Sequence, residues 1–253
     1  MIFLFFNLLY DVFMKIVFAL LLLAGCAGKW TPPDDFVPQN VLADDYEIAT
    51  YQKITDKKSP VHIYIEGDGR AFNAHGAPTR DPTPRGALVR NLASRDVAAN
   101  VAYIARPCQF IMSDACAESD WTNGRFSAKI VDSVAMAIKN IAGRRPVILV
   151  GYSGGGLMTG LVINRHPEIR VKKWVTIAGV PNHTAWTKYF GDSPLANSLD
   201  LDILPNVPAV HYIGLRDRVV PPELSRKFLP PGQIKEIHGA GHTDFENLDI
   251  DFN

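Results

Sequence analysis

Charge of one sign, cysteine and sequence repetition are what this chain has little of. Its 253 residues carry 26 Lys and Arg against 26 Asp and Glu, so the formal net charge is zero. Without a basic surplus there is no electrostatic footprint for nucleic acid, and without a charged block there is no interaction tail. Cysteine is limited to Cys26, Cys108 and Cys116. No histidine or further cysteine stands at ligand spacing beside the later two, which argues against a metal site there. The absence of internal repeats and low-complexity tracts excludes repeat arrays and biased linkers. What remains is 47% apolar and 21% charged, the balance of one globular domain with a sizeable core.

The N-terminus is a targeting segment. Lys15 precedes about eight apolar residues, 16–23, and then Ala24, Gly25 and Cys26. A charged start, a short apolar run and small residues describe a signal peptide over 1–25, and the run is too short to span a bilayer. Leu23-Ala24-Gly25-Cys26 resembles the lipobox of bacterial lipoproteins, which implies cleavage before Cys26 and lipid on that cysteine. Ala27, where an aspartate would retain the protein at the inner membrane, implies an outer-membrane lipoprotein facing the periplasm. Residues 1–13 contain Asp11 and no basic residue, the wrong charge for the start of a signal, so translation is expected to begin at Met14. An uncleaved anchor over the first 25 residues is the alternative. Residues 26–43, with Pro32, Pro33 and Pro38, read as an extended tether, and 44–253 as the folded domain. With Cys26 lipidated, Cys108 and Cys116 are expected to pair in an oxidising compartment.

Hydrophobic patterning then sets out the domain. Tyr46–Ile54 alternates as an edge strand with one wet face, and Val61–Ile65 is a strand that stops at Glu66-Gly67-Asp68-Gly69. Thr83-Pro84 forms a cap and first-turn pair for a helix through Leu88, Leu92 and Ala93. Asn100–Ala105 is a strand, and Phe126, Ile130, Val134, Ile138 and Ile141 recur at helical spacing. Val147–Val150, Val171–Ala178, Pro208–Gly214 and Gln233–His238 are further strands, and Gly154–Arg165 is a buried helix. Alternating strands and helices with wholly apolar strands indicate an α/β fold with a mostly parallel, doubly wound sheet. Its ligands should bind beyond the carboxyl ends of the strands.

Gly151-Tyr152-Ser153-Gly154-Gly155 joins a strand to a helix, the context in which G-x-S-x-G exposes a serine on a sharp turn. A serine nucleophile needs a base, and the base needs an orienting acid. Asp217 follows the Pro208–Gly214 strand, and His242 follows the last strand. From about Val61 to Asp244 the chain resembles the α/β-hydrolase superfamily. The resemblance rests on the serine elbow, the loop Gly214-Leu215-Arg216-Asp217 and the loop Gly239-Ala240-Gly241-His242, in the superfamily's order. It implies Ser153 as nucleophile, His242 as base then acid, and Asp217 as its partner, with no metal and no organic cofactor. It also implies an oxyanion hole from the backbone amides of Gly154 and a residue after Ile65, with Asp68 favoured over Gly69. A small cap insertion is expected between the sixth and seventh strands, with the serine strand counted fifth.

Other assignments compete. His238 reads as a strand residue rather than the base, and Asp192, Asp202 and Asp244 are alternatives to Asp217. His183 falls in the insertion. Trp186, Tyr189 and Phe190 are an aromatic wall for an acyl or aryl group or else local packing. Arg70, Arg80 and Arg106 could meet an anionic substrate or simply be solvated. The expected activity is hydrolysis of a carboxylic ester or thioester, on a small-molecule or lipid-like substrate, through an acyl-enzyme. An envelope acyltransferase or peptidase with the same triad is the second reading. A catalytically silent binding module is the third, favoured by the carboxylates of Glu66 and Asp68 beside the place where an oxyanion would form.

Overall fold

The computed structural model describes residues 30–252, and the architecture is that of the unit from Pro32 onward. The signal segment, Met14 and Cys26 lie outside the described residues. Among those described, no helix is long and apolar enough to cross a membrane.

Eight strands form one sheet in the order β1-β2-β4-β3-β5-β6-β7-β8. They are β1 (Val37–Ala43), β2 (Tyr46–Ile54), β3 (Val61–Ile65), β4 (Asn100–Ile104), β5 (Val147–Tyr152), β6 (Val171–Ile177), β7 (Ala209–Gly214) and β8 (Ile234–Ile237). β1 and β2 are antiparallel, β2 joins β4 antiparallel, and every later pairing is parallel. The helices are α1 (Leu88–Arg95), α2 (Ala128–Ala142), α3 (Gly154–Arg165), α4 (His183–Phe190) and α5 (Pro222–Phe228).

The central strands are buried on both faces because both faces are covered. Val61, Ile63, Ile65, Val147 and Leu149 pack with α2 and α3, whereas Tyr64, Ile148 and Val150 pack with α1 and the C-terminal Phe245. This two-sided burial is why their sequences are continuously apolar rather than alternating. Each parallel crossover returns the chain so that the loops after β3, β5, β7 and β8 gather at one sheet edge.

Three boundaries differ from the sequence reading. Val37–Ala43, read as the end of a tether, is the edge strand that makes the serine strand fifth. It pairs along its whole length from Val37 opposite Gln52 to Ala43 opposite Tyr46, and it turns at Asp44 with φ 51°. Gln39 and Asn40 are both exposed there, so its polarity reflects a wet edge, not an unpaired segment. The helix expected from Pro84 starts instead at Leu88, because the Thr83 hydroxyl accepts the Phe110 amide at 2.7 Å rather than capping a first turn. The last strand is the shorter Ile234–Ile237, with His238 in the turn beyond it.

Cys108 and Cys116 form a disulfide with Cα atoms 5.8 Å apart and eight residues of separation. Closing so short a loop stabilises the fold by about 2–3 kcal/mol in the chain-entropy description. Arg106 and Gln109 lie in and beside that loop, which carries them to the site.

Candidate active site

Ser153 stands where β5 ends and α3 begins. Its backbone is at φ 52° and ψ −122°, a conformation that costs a non-glycine residue about 1–3 kcal/mol and persists only where the surroundings impose it. The flanking glycines impose it here. A Cβ on Gly151 would lie 2.2 Å from the Gly155 carbonyl oxygen, and one on Gly155 would lie 2.5 Å from that of Ile65. Only hydrogen at both positions lets strand, turn and helix approach this closely.

The loops after β7 and β8 bring the partners. His242 Nε2 is 3.0 Å from Ser153 Oγ, and His242 Nδ1 is 2.9 Å from Asp217 Oδ2. Asp217 is buried, and its Oδ1 accepts the amides of Val219 and Val220 at 2.8 and 2.9 Å. Those bonds fix one oxygen and leave the other for the imidazole. The histidine loop is held by Asp244, whose Oδ2 accepts the Gly241 amide at 2.8 Å, and by Tyr152, whose hydroxyl donates to the His242 carbonyl at 3.2 Å. Asp244 thus braces the loop, and the carboxylate that meets the imidazole is that of Asp217. His238 is exposed, Asp202 is exposed, and neither contacts Ser153. His183 is buried on α4 and stacked against Phe126, with Nε2 3.8 Å from Asp200.

The loop after β3 passes against the elbow. A Cβ on Gly67 would come within 3.1 Å of Ser153 Cβ, and one on Gly154 within 2.0 Å of Asp68 Oδ1. Gly154 opens α3, so its amide belongs to the first turn, whose N–H groups have no intrahelical acceptor. The two carboxylates of this loop are engaged. Asp68 pairs with Arg106 (Nη1 to Oδ1, 3.2 Å) and with Arg125 (Nε to Oδ2, 3.0 Å), both arginines being buried. Arg106 also donates to the Arg125 carbonyl, and burial pulls its guanidinium down to about 10. Glu66 is buried and turned into the protein, where it accepts its neighbour's amide from Gly67 and the Tyr103 hydroxyl, each at 3.0 Å. Burial raises its carboxyl above the ordinary glutamate value. Gln109 ties the loops together, donating to the Gly67 carbonyl at 2.9 Å and accepting the Arg106 amide at 3.0 Å.

Beside Ser153 opens a cavity of about 690 Å³ lined by Gly67, Asp68, Phe72, Arg125, Trp186 and Leu195 among others. The segment between β6 and β7 is one eight-residue helix, α4, followed by an irregular stretch, and it supplies Trp186 and Leu195 to this wall. The expected aromatic wall is therefore corrected. Trp186 lines the cavity, its indole donating to the Val219 carbonyl at 2.6 Å. Tyr189 and Phe190 do not line it; both are exposed, and Tyr189 donates instead to Glu223 at 2.6 Å. The short helix can turn only one face inward, and that face carries His183, Trp186 and Thr187. Asp192 lies at the cavity wall and is exposed. Arg106 is taken up by Asp68, while Arg70 and Arg80 do not line the cavity. Arg125, Gln109 and Tyr103 carried no sequence signal, since no motif surrounds them and only the tertiary fold brings them to the loop after β3. Among the described residues, no group of three or more His, Cys, Asp and Glu side chains is arranged to hold a metal ion.

The family model described as Serine hydrolase (FSH1) matches residues 109–243, somewhat more than half of the chain and the part that holds Ser153, Asp217 and His242. No curated protein sequence matches significantly. Among solved structures, the chain is similar to the serine hydrolase CCSP0084 from Cycloclasticus zankles at a TM-score of 0.58 and 17% identity, over 83% of this chain and 93% of that one. It is similar to Est1E from Butyrivibrio proteoclasticus at 0.56 and 15%, over 82% and 91%. It is also similar to XC6422 from Xanthomonas campestris, an α/β serine hydrolase without a lid, at 0.53 and 12%, over 85% and 89%.

Proposed function

The chain belongs to the FSH1 serine hydrolase family and has the α/β-hydrolase fold, and from that premise we propose that it cleaves a carboxylic ester or thioester through an acyl-enzyme. The observation that carries this reading is the unbroken relay Ser153 Oγ, His242, Asp217 at hydrogen-bond distances, on a strained turn at the foot of a cavity. In the first step Ser153 Oγ bonds to the acyl carbon while His242 Nε2 takes the hydroxyl proton, and Asp217 stabilises the imidazolium. The oxyanion is received by the amides of Gly154 and Asp68. Collapse breaks the bond to the alcohol or thiol, which leaves with the proton from His242. Water then bonds to the acyl carbon as His242 takes its proton, and collapse breaks the bond to Ser153 Oγ, which regains a proton from His242 as the acid is released.

The loop carboxylates do not oppose this chemistry. Asp68 is matched by two guanidinium groups, and Glu66 turns its oxygens toward Tyr103 and the Gly67 amide. The feature that favoured a silent binding module is thereby accounted for. The acyl-enzyme is tested by partitioning. With p-nitrophenyl, phenyl and thiophenyl pentanoate in dilute methanol, one common intermediate predicts one ratio of methyl ester to acid for all three leaving groups. A ratio that changes with the leaving group would contradict it.

The setting belongs to the same proposal: an exported lipoprotein anchored through Cys26, facing the periplasm from the outer membrane. The Cys108–Cys116 disulfide supports an oxidising compartment. Expression with labelled palmitate is expected to label the wild type but not Cys26→Ser, with no free thiol in the denatured mature protein. Equal labelling of both proteins, or reactive thiols at Cys108 and Cys116, would refute the export reading.

A further inference from the structure

The ground beneath the cavity holds more positive than negative charge. Two buried arginines, Arg106 and Arg125, share the single carboxylate of Asp68. At the cavity wall the exposed Arg85 and Asp192 offset each other. Buried cations are ordinarily paired and saturated with hydrogen bonds. Arg106 comes nearer to that rule, with Asp68 on one nitrogen and the Arg125 carbonyl on another, although its Nε has no partner.

Arg125 is further from it. It shares Asp68 with Arg106, and its Nε lies 3.0 Å from Oδ2 without hydrogen-bond direction. Among the described residues, its guanidinium makes no directed hydrogen bond to the protein. It is held instead by rings, 5.6 Å from the Trp186 centroid and 5.8 Å from those of Phe72 and Phe126. Phe72, Trp186 and Arg125 itself all line the cavity that contains Ser153. Were Arg125 there only to neutralise Asp68, Arg106 would suffice, and a second buried guanidinium would add a desolvation cost without a purpose. A planar fork with spare donors, stacked beside aromatic rings, is what binds a carboxylate.

We propose that Arg125 is a specificity-determining residue that binds a carboxylate carried by the substrate, so that the enzyme acts on anionic esters rather than neutral ones. This rests on the ester-hydrolase reading. The carboxylate is untouched by the reaction; it orients the ester for Ser153. It could sit on the acid side, as in a dicarboxylic hemiester, or on the alcohol side, and the test separates the two.

The full-length protein in non-ionic detergent is given two pairs of substrates. Mono-p-nitrophenyl glutarate is compared with p-nitrophenyl pentanoate for an acid-side charge, and 4-acetoxybenzoate with phenyl acetate for an alcohol-side charge. In one of the pairs the anionic ester is expected to have at least a tenfold higher kcat/KM. Arg125→Gln should lower kcat/KM for the anionic ester at least tenfold more than for its neutral partner, and Arg125→Lys should keep part of the preference. Free glutarate should slow fluorophosphonate labelling of Ser153 in the wild type and not in Arg125→Gln. Neutral esters turned over as well as anionic ones in both pairs by a wild type that labels at Ser153 would overturn the proposal, whether or not the variants fold. A wild type that neither labels nor hydrolyses any of the four esters would remove the ester-hydrolase reading itself, and this inference with it.

Discussion

Ser153→Ala is expected to lower kcat/KM for p-nitrophenyl esters by about 10⁴-fold or more while the protein remains folded. The size follows from what the hydroxyl does. His242 and Asp217 lie at 3.0 and 2.9 Å along one relay, so without Oγ the base has no proton to take and no bond to the acyl carbon forms. What survives is oxyanion and binding catalysis of water attack. Ser153→Gly should lose as much activity but gain about 1 kcal/mol or more of stability, because φ 52° and ψ −122° is a conformation that glycine adopts without strain. Steady-state kinetics and urea unfolding of both variants check this. Activity within tenfold of wild type in Ser153→Ala would place the nucleophile elsewhere.

Asp68→Asn carries the next largest effect, and it falls first on stability. The carboxylate lies between Arg106 and Arg125, both buried, and the amide would leave two guanidinium groups without their shared anion. Breaking a buried pair from one side costs about 3–5 kcal/mol; with 19% of the Asp68 side chain exposed, about 3 kcal/mol is expected. The same residue packs against Gly154 and follows Gly67 at the elbow, so kcat should fall alongside stability. Arg125→Gln should cost less stability than Asp68→Asn, because Arg106 still pairs with the carboxylate. Chemical denaturation read by tryptophan fluorescence gives both values. An unchanged unfolding midpoint in Asp68→Asn would show that the ion cluster does not support the loop.

The parts of this site legible in the sequence are those whose physics is local. A strand buried on both faces must be continuously apolar, so Val147 to Val150 announce β5. A turn this tight needs glycine at 151 and 155, so the elbow announces Ser153. Asp217 and His242 follow strand ends in a parallel sheet, and the sheet's own geometry collects them at one edge. What was not legible depends on long-range partners. Glu66 and Asp68 read as a charge problem because Arg106 and Arg125, which answer it, are brought to them only by the folding of the β4 loop and the segment before α2. Val37–Ala43 read as a tether because an edge strand may keep polar residues and a proline outward, and only its pairing with β2 distinguishes it. Tyr189 and Phe190 sit on the same short helix as Trp186, and composition does not say which face of such a helix turns inward.

The central claim is that Ser153 is a nucleophile activated by His242, and covalent labelling addresses it without assuming any substrate. The full-length protein treated with a fluorophosphonate probe and digested should carry one adduct, on the peptide containing Ser153. Labelling should slow by about 10³-fold or more in His242→Ala, whose serine has lost its base. Absence of an adduct on folded wild-type protein, or labelling of His242→Ala at the wild-type rate, would contradict the account.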